Sequence, residues 1–328
     1  MAQIKRLEWI DRMRGLAMLS VVIQHLSFCY INNFVYYKLI AISNLAVFFF
    51  ISAYLMERTA NITTVKDGLI FLFKKTIQLM LPFFVWLLII PNYFFQPQWT
   101  TITIDEIINQ FENPGQVGFL LTLYGYCFLF VICKITKQVK FEWIIWILLF
   151  IIIFFCNYKW GFFHNATLYL PYFIAGILSS RISNIEKFLK NGVLTSVSFL
   201  CIVLMLPFWT SGATSIVNIT TKLLIAPATI IITYNCCTQL SWNKYFNQFI
   251  LMCGKYSLAI YVTHWTFLKI TETKFTIIQN ELIAFIPIFL YASLICFACV
   301  LIKKIISLCP IIDCLMYGNY KLFKFLKK

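Results

Sequence analysis

The amino-acid sequence predicts an all-α integral membrane protein, a polytopic bundle of about ten transmembrane helices with both termini in the cytoplasm. Three observations carry this prediction. Of the 328 residues, 61% are hydrophobic and only 12% are charged, whereas soluble domains carry about 45–50% apolar and about 25% charged residues. The apolar residues are gathered in runs long enough to cross the hydrocarbon core of a bilayer. The basic residues lie between these runs in an alternating pattern.

The apolar runs divide the chain into ten predicted spans. Several are short or contain proline, which helices within a membrane bundle tolerate. The first is longer than the apolar core of a signal peptide and has no small-residue cleavage site after it, so we expect the protein to keep it. The predicted spans are 13–31, 37–56, 76–95, 117–134, 141–157, 166–181, 193–210, 219–235, 249–268 and 282–302.

The positions of the basic residues predict the orientation. If the N-terminus is inside, all but five of the 27 Lys and Arg residues fall in cytoplasmic segments, as the positive-inside rule requires. An even number of spans then also places the lysine-rich C-terminus inside. The net charge of +15 is therefore topological and does not indicate a nucleic-acid partner. The five exceptions are Lys38, Lys159, Lys222, Lys269 and Lys274.

Two segments follow from this arrangement. Residues 1–310 form the predicted transmembrane domain. Residues 311–328 alternate apolar residues with lysines, a pattern typical of an amphipathic basic tail that lies on anionic lipid. Membrane lipids are therefore expected partners.

The first span contains a histidine in the middle of an apolar run. Ionisable groups inside a membrane are costly, so one that is present is a functional candidate. On a helix, Arg14 and His25 lie about 16 Å apart along the axis, which places His25 near mid-bilayer if Arg14 marks the surface. An imidazole can accept a proton from a hydroxyl near neutral pH, and a guanidinium fork suits phosphates and carboxylates. Asp11 and Arg12 crowd the same helix end. The alternative is that Arg14 only anchors the topology and His25 makes a polar contact between helices.

The second span is rich in phenylalanine but also carries Asn44, Ser52 and Tyr54. These side chains are candidates for substrate binding. Small polar residues also serve the packing of membrane helices, and that interpretation remains open.

The third span begins with a basic turn that contains Lys74 and Lys75, followed by Gln78. Two lysines at the start of a helix oppose its macrodipole. They either bind anionic phosphates or simply follow the positive-inside rule.

The ninth span carries a polar stripe. Ser257, Tyr261 and His264 fall at positions i, i+4 and i+7, which is one face of a helix. We interpret His264 as a structural or acceptor-side residue rather than as the catalyst. The three histidines show no metal-ligand spacing, so no metal site is expected.

Taken in order, these elements resemble the membrane-bound acyltransferase-3 family over essentially the whole chain. Its members carry an R-G-x-A…H first helix, an F-F-x-x-S-G-(F/Y)-L second helix, a basic R-x-x-R…P third helix and a late G-x-x-S-x-x-(I/L)-Y-x-x-H helix. Here Ala53 stands in place of the usual glycine, and Lys75 and Gln78 stand where two arginines are typical. The matching stretches are Arg14-Gly15 with His25, 49–55, 75–82 and 254–264.

The resemblance implies transfer of an acyl group, usually acetyl from acetyl-CoA, to a hydroxyl of a cell-surface glycan or lipid-linked sugar. The donor is a substrate, and no permanently bound cofactor is expected. His25 would be the catalytic base, with Arg14 as its partner and Asp11 holding Arg14. The donor would bind Arg12, Lys74, Lys75 and Gln78, and the acceptor would bind Asn44, Ser52, Tyr54, Ser257, Tyr261 and His264.

Several alternatives remain at this point. The chemistry is either direct transfer or a relay through an acyl-histidine. A glycan polymerase or flippase, or a secondary transporter, would also have many spans, although the internal repeats expected of a transporter are absent from the sequence. The lean toward Ile, Phe, Lys and Asn suggests an AT-rich bacterial genome, and hence a protein of the bacterial cytoplasmic (inner) membrane.

Overall fold

A computed structural model describes residues 7–30, 35–89, 117–135, 146–148, 151, 161–209, 216–271 and 281–320. Every regular element in these ranges is helical. The helices are α1 (Glu8–Tyr30), α2 (Val35–Thr59), α3 (Val65–Lys75), α4 (Leu81–Phe84), α5 (Gly118–Ile135), α6 (Gly161–Arg181), α7 (Ile185–Leu189), α8 (Gly192–Met205), α9 (Ile216–Gln239), α10 (Lys244–Lys255), α11 (Ser257–Thr271), α12 (Glu281–Ile306) and α13 (Pro310–Tyr317).

Four segments of the described chain are long and apolar enough to span a membrane: Lys38–Thr59, Val65–Leu87, Gly118–Ile135 and Ile283–Ile306. A shorter apolar helix covers Gly192–Phe208. The helical class and the multi-pass membrane character are therefore confirmed. The count of about ten spans and the cytoplasmic location of both termini stay predictions, and the fifth predicted span falls largely outside the described residues.

Two predicted spans differ in detail from the helices observed. The third helix begins at Val65, well before the predicted start at residue 76, because Thr64 and Asp67 form a reciprocal capping box at its N-terminus. The ninth predicted span is two helices rather than one. It is interrupted at Tyr256, which lies outside the helical region at the end of α10.

The chain divides into two compact units. Unit one contains Met1–Tyr54 and Ala175–Ile302, and unit two contains Leu55–Ile174 and Lys303–Lys328. Each unit is described by itself.

In unit one, α1 packs against α9, α10 and α11. Two glycines bring α1 and α10 unusually close. A Cβ at Gly15 of α1 would meet the backbone carbonyl of Ile250, and a Cβ at Gly254 of α10 would meet the backbone carbonyl of Asp11. Small residues that let backbones touch are the usual means by which membrane helices associate. The crossing fixes how α1 lies against the chain that leads into α11.

In unit two, α3 continues into two π-helical turns, Thr76–Met80 and Val85–Ile89, which flank α4. Helix α5 packs against α3 and the first of these turns. Near the ends of α2 and α5, Lys134 donates to a carboxylate oxygen of Glu57 at 2.7 Å. The C-terminal helix α13 contacts α4 and both π-helical turns.

The predicted tail begins with α13, one face of which is buried in unit two. Asp313, Cys314 and Tyr317 are buried, whereas Ile311 and Leu315 are exposed. Residues 321–328 lie outside the described part of the chain, so the lipid-bound tail stays a prediction.

Candidate functional site in unit one

The candidate site is built around two imidazole rings from distant parts of the sequence. The ring centroids of His25 on α1 and His264 on α11 lie 5.3 Å apart. The indole of Trp265 meets the His25 ring edge to face at 5.1 Å. Because α1 and α10 cross so closely, and α11 follows α10 after the single residue Tyr256, the two histidines are brought into the same layer of the unit.

The tautomer of His264 follows from its hydrogen bond. Its Nδ1 lies 3.0 Å from the carbonyl oxygen of Ile260, one turn earlier on α11. A carbonyl oxygen can only accept, so Nδ1 carries the proton and Nε2 of the neutral ring carries a lone pair. His264 is fully buried, and within the described residues its Nε2 has no hydrogen-bond partner.

The next residue, Trp265, also has a buried nitrogen, Nε1, without a hydrogen-bond partner in the described residues. Buried polar groups are nearly always hydrogen-bonded, so an acceptor on His264 and a donor on Trp265 mark a place where water or a substrate would complete the bonding. The site thus offers one acceptor and one donor next to the His25 ring.

The polar residues of α2 connect to α1 beside His25. Asn44 is buried and donates from Nδ2 to Oε1 of Gln24 at 2.5 Å. Oγ of Ser27 donates to the Gln24 backbone carbonyl at 2.7 Å. These bonds hold the turn of α1 that carries His25. Asn44 therefore lies beside the turn of α1 that carries His25, with its amide engaged by Gln24, and its predicted role in substrate binding stays a prediction.

The remaining predicted residues of unit one lie at two places. Ser257 and Tyr261 precede His264 on α11, and the Tyr261 and His264 ring centroids are 6.2 Å apart. Ser52 and Tyr54 lie near the end of α2, where Tyr54 is buried and packs edge to face against Trp9 at 5.5 Å.

Arg14 lies on the same face of α1 as His25, because eleven residues are close to three turns of helix. Its side chain is half-buried, and Asp11, one turn earlier on the same face, is buried. This places a carboxylate, a guanidinium and an imidazole along one line of α1. Their predicted catalytic roles stay predictions.

Arg12 points to a different set of partners. Its guanidinium forms an ion pair with Glu8 at 2.7 Å and donates to Oδ1 of Asn247 and to the carbonyl oxygen of Cys237. It also lies 5.4 Å from the centroid of the Trp242 ring. These contacts indicate that Arg12 links α1 to α9 and α10. Its predicted role in donor binding stays a prediction.

The other predicted donor residues belong to unit two. Lys74 and Lys75 end α3, and Nζ of Lys75 donates to Oε1 of Gln78 at 3.1 Å. The Lys75 ammonium also lies 5.6 Å from the centroid of the Phe71 ring. A cation is thus held in a defined position at the start of the first π-helical turn. Insertions of this kind into helices are frequent at functional sites.

Sequence reasoning did not select Trp265 or Gln24 as site residues. Trp265 directly follows His264, but only the structure shows that it contacts His25. Gln24 flanks His25, yet its bond to Asn44 depends on the packing of α1 against α2. No group of three His, Cys, Asp or Glu side chains suited to a metal ion occurs in the described part of the chain.

Comparison with known proteins adds one finding to this geometry. A family model described as an acyltransferase domain, that of the acyltransferase-3 family, matches residues 7–302. No curated protein and no solved structure matches the chain.

Proposed function

The chain belongs to the acyltransferase-3 family, and from that premise we propose that it transfers an acetyl group from acetyl-CoA to a hydroxyl of a cell-surface glycan or lipid-linked sugar. The family and the apolar helices support a multi-pass membrane acyltransferase. The donor, the acceptor and a location in the bacterial inner membrane are parts of the proposal. The observation that carries it is the pair of imidazoles, His25 and His264, in which Nε2 of His264 has no hydrogen-bond partner among the residues that the structure describes.

In the proposed reaction, His25 takes the proton of the acceptor hydroxyl as the oxygen attacks the thioester carbonyl carbon. A carbon–oxygen bond forms, and the tetrahedral oxyanion collapses with cleavage of the carbon–sulfur bond. The thiolate of coenzyme A leaves and takes the proton back from the His25 imidazolium. The products are an ester and the free thiol, so atoms and charge balance.

The neighbouring residues of unit one have distinct proposed roles. Nε2 of His264 accepts a hydrogen bond from the acceptor and holds it against His25. Arg14, on the same face of α1, binds donor phosphate or stabilises developing oxyanion charge. Asp11 holds Arg14 in place.

For unit two, we propose that the cations at the end of α3 bind the anionic part of the donor. Lys75 is positioned by Gln78, and Lys74 precedes it on the helix. Lysine binds phosphate as a point charge and lacks the planar fork with which arginine orients a phosphate. In this proposal, the hydrogen bond from Lys75 to Gln78 holds the ammonium in one position instead.

A comparison of surface polysaccharide from a deletion strain and its parent by NMR tests the proposal. Parent polysaccharide should carry an O-acetyl group that the deletion strain lacks, and the parent gene should restore it. His25→Ala and Arg14→Ala should fail to restore it although both proteins insert. Arg181→Ala, a change at an exposed arginine at the end of α6, is the matched control and should restore it. Full acetylation with His25→Ala would reject the assignment.

A further inference from the structure

The last turn of α12 and the segment after it form an element that folds back onto the turn that carries Gln78. We define residues 303–320 as the C-terminal hook. The hook lies wholly in unit two, and it begins directly after the family match, which ends at residue 302. It therefore lies outside the matched region.

Polar bonds hold the hook closed. Lys303, in the last turn of α12, forms an ion pair with the buried carboxylate of Asp313 on α13. Nδ2 of Asn319 donates to the other oxygen of Asp313 at 2.5 Å. The Lys303 ammonium also lies 4.8 Å from the centroid of the Tyr317 ring. Both oxygens of a carboxylate that is almost fully buried are thus satisfied within the hook.

The end of α13 rests directly on the π-helical turn. Gly318 caps α13 in the left-handed conformation, with φ of 64°. A Cβ at this position would meet the backbone of Gln78, with the Gln78 Cα at 2.6 Å. Nε1 of Trp86 donates to the Met316 carbonyl oxygen at 2.9 Å, which satisfies one of the last carbonyls of α13. Cys314 packs on Ile77 and Leu81.

We infer that the C-terminal hook is a positioning element for donor binding, in which Gly318 fixes the backbone of Gln78 and, through Gln78, the ammonium of Lys75. The inference rests on the proposed function, because it assigns the donor to this turn. Two contacts connect Gly318 to the cation. Gly318 contacts the Gln78 backbone, and Oε1 of Gln78 accepts a hydrogen bond from Nζ of Lys75. A shift of that backbone moves the cation.

Gly318→Ala tests the inference in the purified, full-length protein. An alanine there is strained by its positive φ and also collides with Gln78. We expect the Kd for coenzyme A and the KM for acetyl-CoA to rise roughly tenfold, a shift of about 1.4 kcal/mol, with kcat and the acceptor KM unchanged. Asp313→Asn, which removes the ion pair but keeps the shape, should change both constants in the same direction. Gly125→Ala in α5 is the matched control, because a Cβ there meets nothing within 4 Å.

Alkylation of Cys314, mapped by mass spectrometry, reports hook release without any activity. Cys314 is buried, and its burial, followed by the charge of Asp313, raises the pKa of its thiol. Its reaction with a maleimide should therefore be slow in the parent, because the thiolate is the reactive form, and faster in Gly318→Ala, which releases the hook without removing the charge of Asp313.

The outcomes separate the two proposals. Faster labelling of Cys314 with an unchanged Kd for coenzyme A would overturn the positioning role, as would a fall in kcat alone. If Gly318→Ala does not fold, Asp313→Asn decides by the same constants. A parent that neither binds coenzyme A nor transfers acetyl rejects the proposed function, and the donor role of the hook with it.

Discussion

The close crossing of α1 and α10 makes Gly15→Ala the most informative test of the fold. The new Cβ would lie 2.8 Å from the Ile250 carbonyl carbon and nearer still to its oxygen. These are backbone atoms, so the clash can be relieved only by moving one helix away from the other. Overpacking of this kind costs about 1–3 kcal/mol. Replacing a glycine within a helix by alanine otherwise gains roughly 0.5–1 kcal/mol.

Gly125→Ala isolates the two effects, because the same chemical change there meets open space. The two variants should therefore differ in free energy of unfolding by about 2 kcal/mol, or about 3–6 °C in melting temperature. The assay is thermal unfolding of the detergent-solubilised protein, followed by fluorescence-detected size exclusion. Gly15→Ala should also lose acyl transfer, because the shift separates His25 from His264. Equal melting temperatures for the two variants would refute the close crossing.

Three further predictions concern residues of unit one. Asn44→Leu should destabilise the protein by about 1–3 kcal/mol, because Oε1 of Gln24 loses its hydrogen-bond donor. Adding Gln24→Leu should recover part of that loss. Additive losses in this double-mutant cycle, measured by thermal unfolding, would contradict the hydrogen bond. Arg12→Lys should lower the melting temperature, since lysine cannot reproduce the hydrogen bonds to Glu8, Asn247 and Cys237. It should leave the KM for the donor unchanged. A raised donor KM with normal stability would instead favour the predicted role of Arg12 in donor binding. His264→Ala should lower kcat/KM for the acceptor about 10- to 100-fold, because one buried hydrogen bond is lost. The donor KM should stay unchanged in steady-state kinetics. An unchanged kcat/KM for the acceptor would remove His264 from the site.

The helical membrane character could be predicted from the sequence because apolar runs and the near absence of charge dictate it locally. The capping box at Thr64 and Asp67 is also readable in the sequence. The break at Tyr256 was not predicted, because Gly254, Lys255 and Ser257 form only a brief polar interruption between two apolar runs. It accompanies the contact between Gly254 and the Asp11 backbone, which is 243 residues distant in sequence.

The candidate site shows the same division between local and distant information. Periodicity placed Ser257, Tyr261 and His264 on one helical face, and all three lie on α11. Periodicity cannot show which element faces that stripe. The pairing of His264 with His25 depends on the α1–α10 crossing, and the signals for that crossing are two glycines. The sequence alone does not show which helix packs against a given glycine.

The docking of the C-terminal hook was also beyond the sequence. Apolar residues alternating with lysines predict a surface helix, and Ile311 and Leu315 of α13 are exposed. The single acid in that segment, Asp313, is the residue that departs from the pattern. Its burial against Lys303 depends on the turn between α12 and α13.

The most direct test of the central claim is a single-turnover measurement on the purified protein in proteoliposomes. Radiolabelled acetyl-CoA and the polysaccharide or lipid-linked sugar of the source strain would be supplied together, and label in the glycan would be counted. We expect the parent to transfer label and His25→Ala to stay at background, although it binds coenzyme A with the parent's affinity. Transfer by His25→Ala at the parent's rate would contradict it.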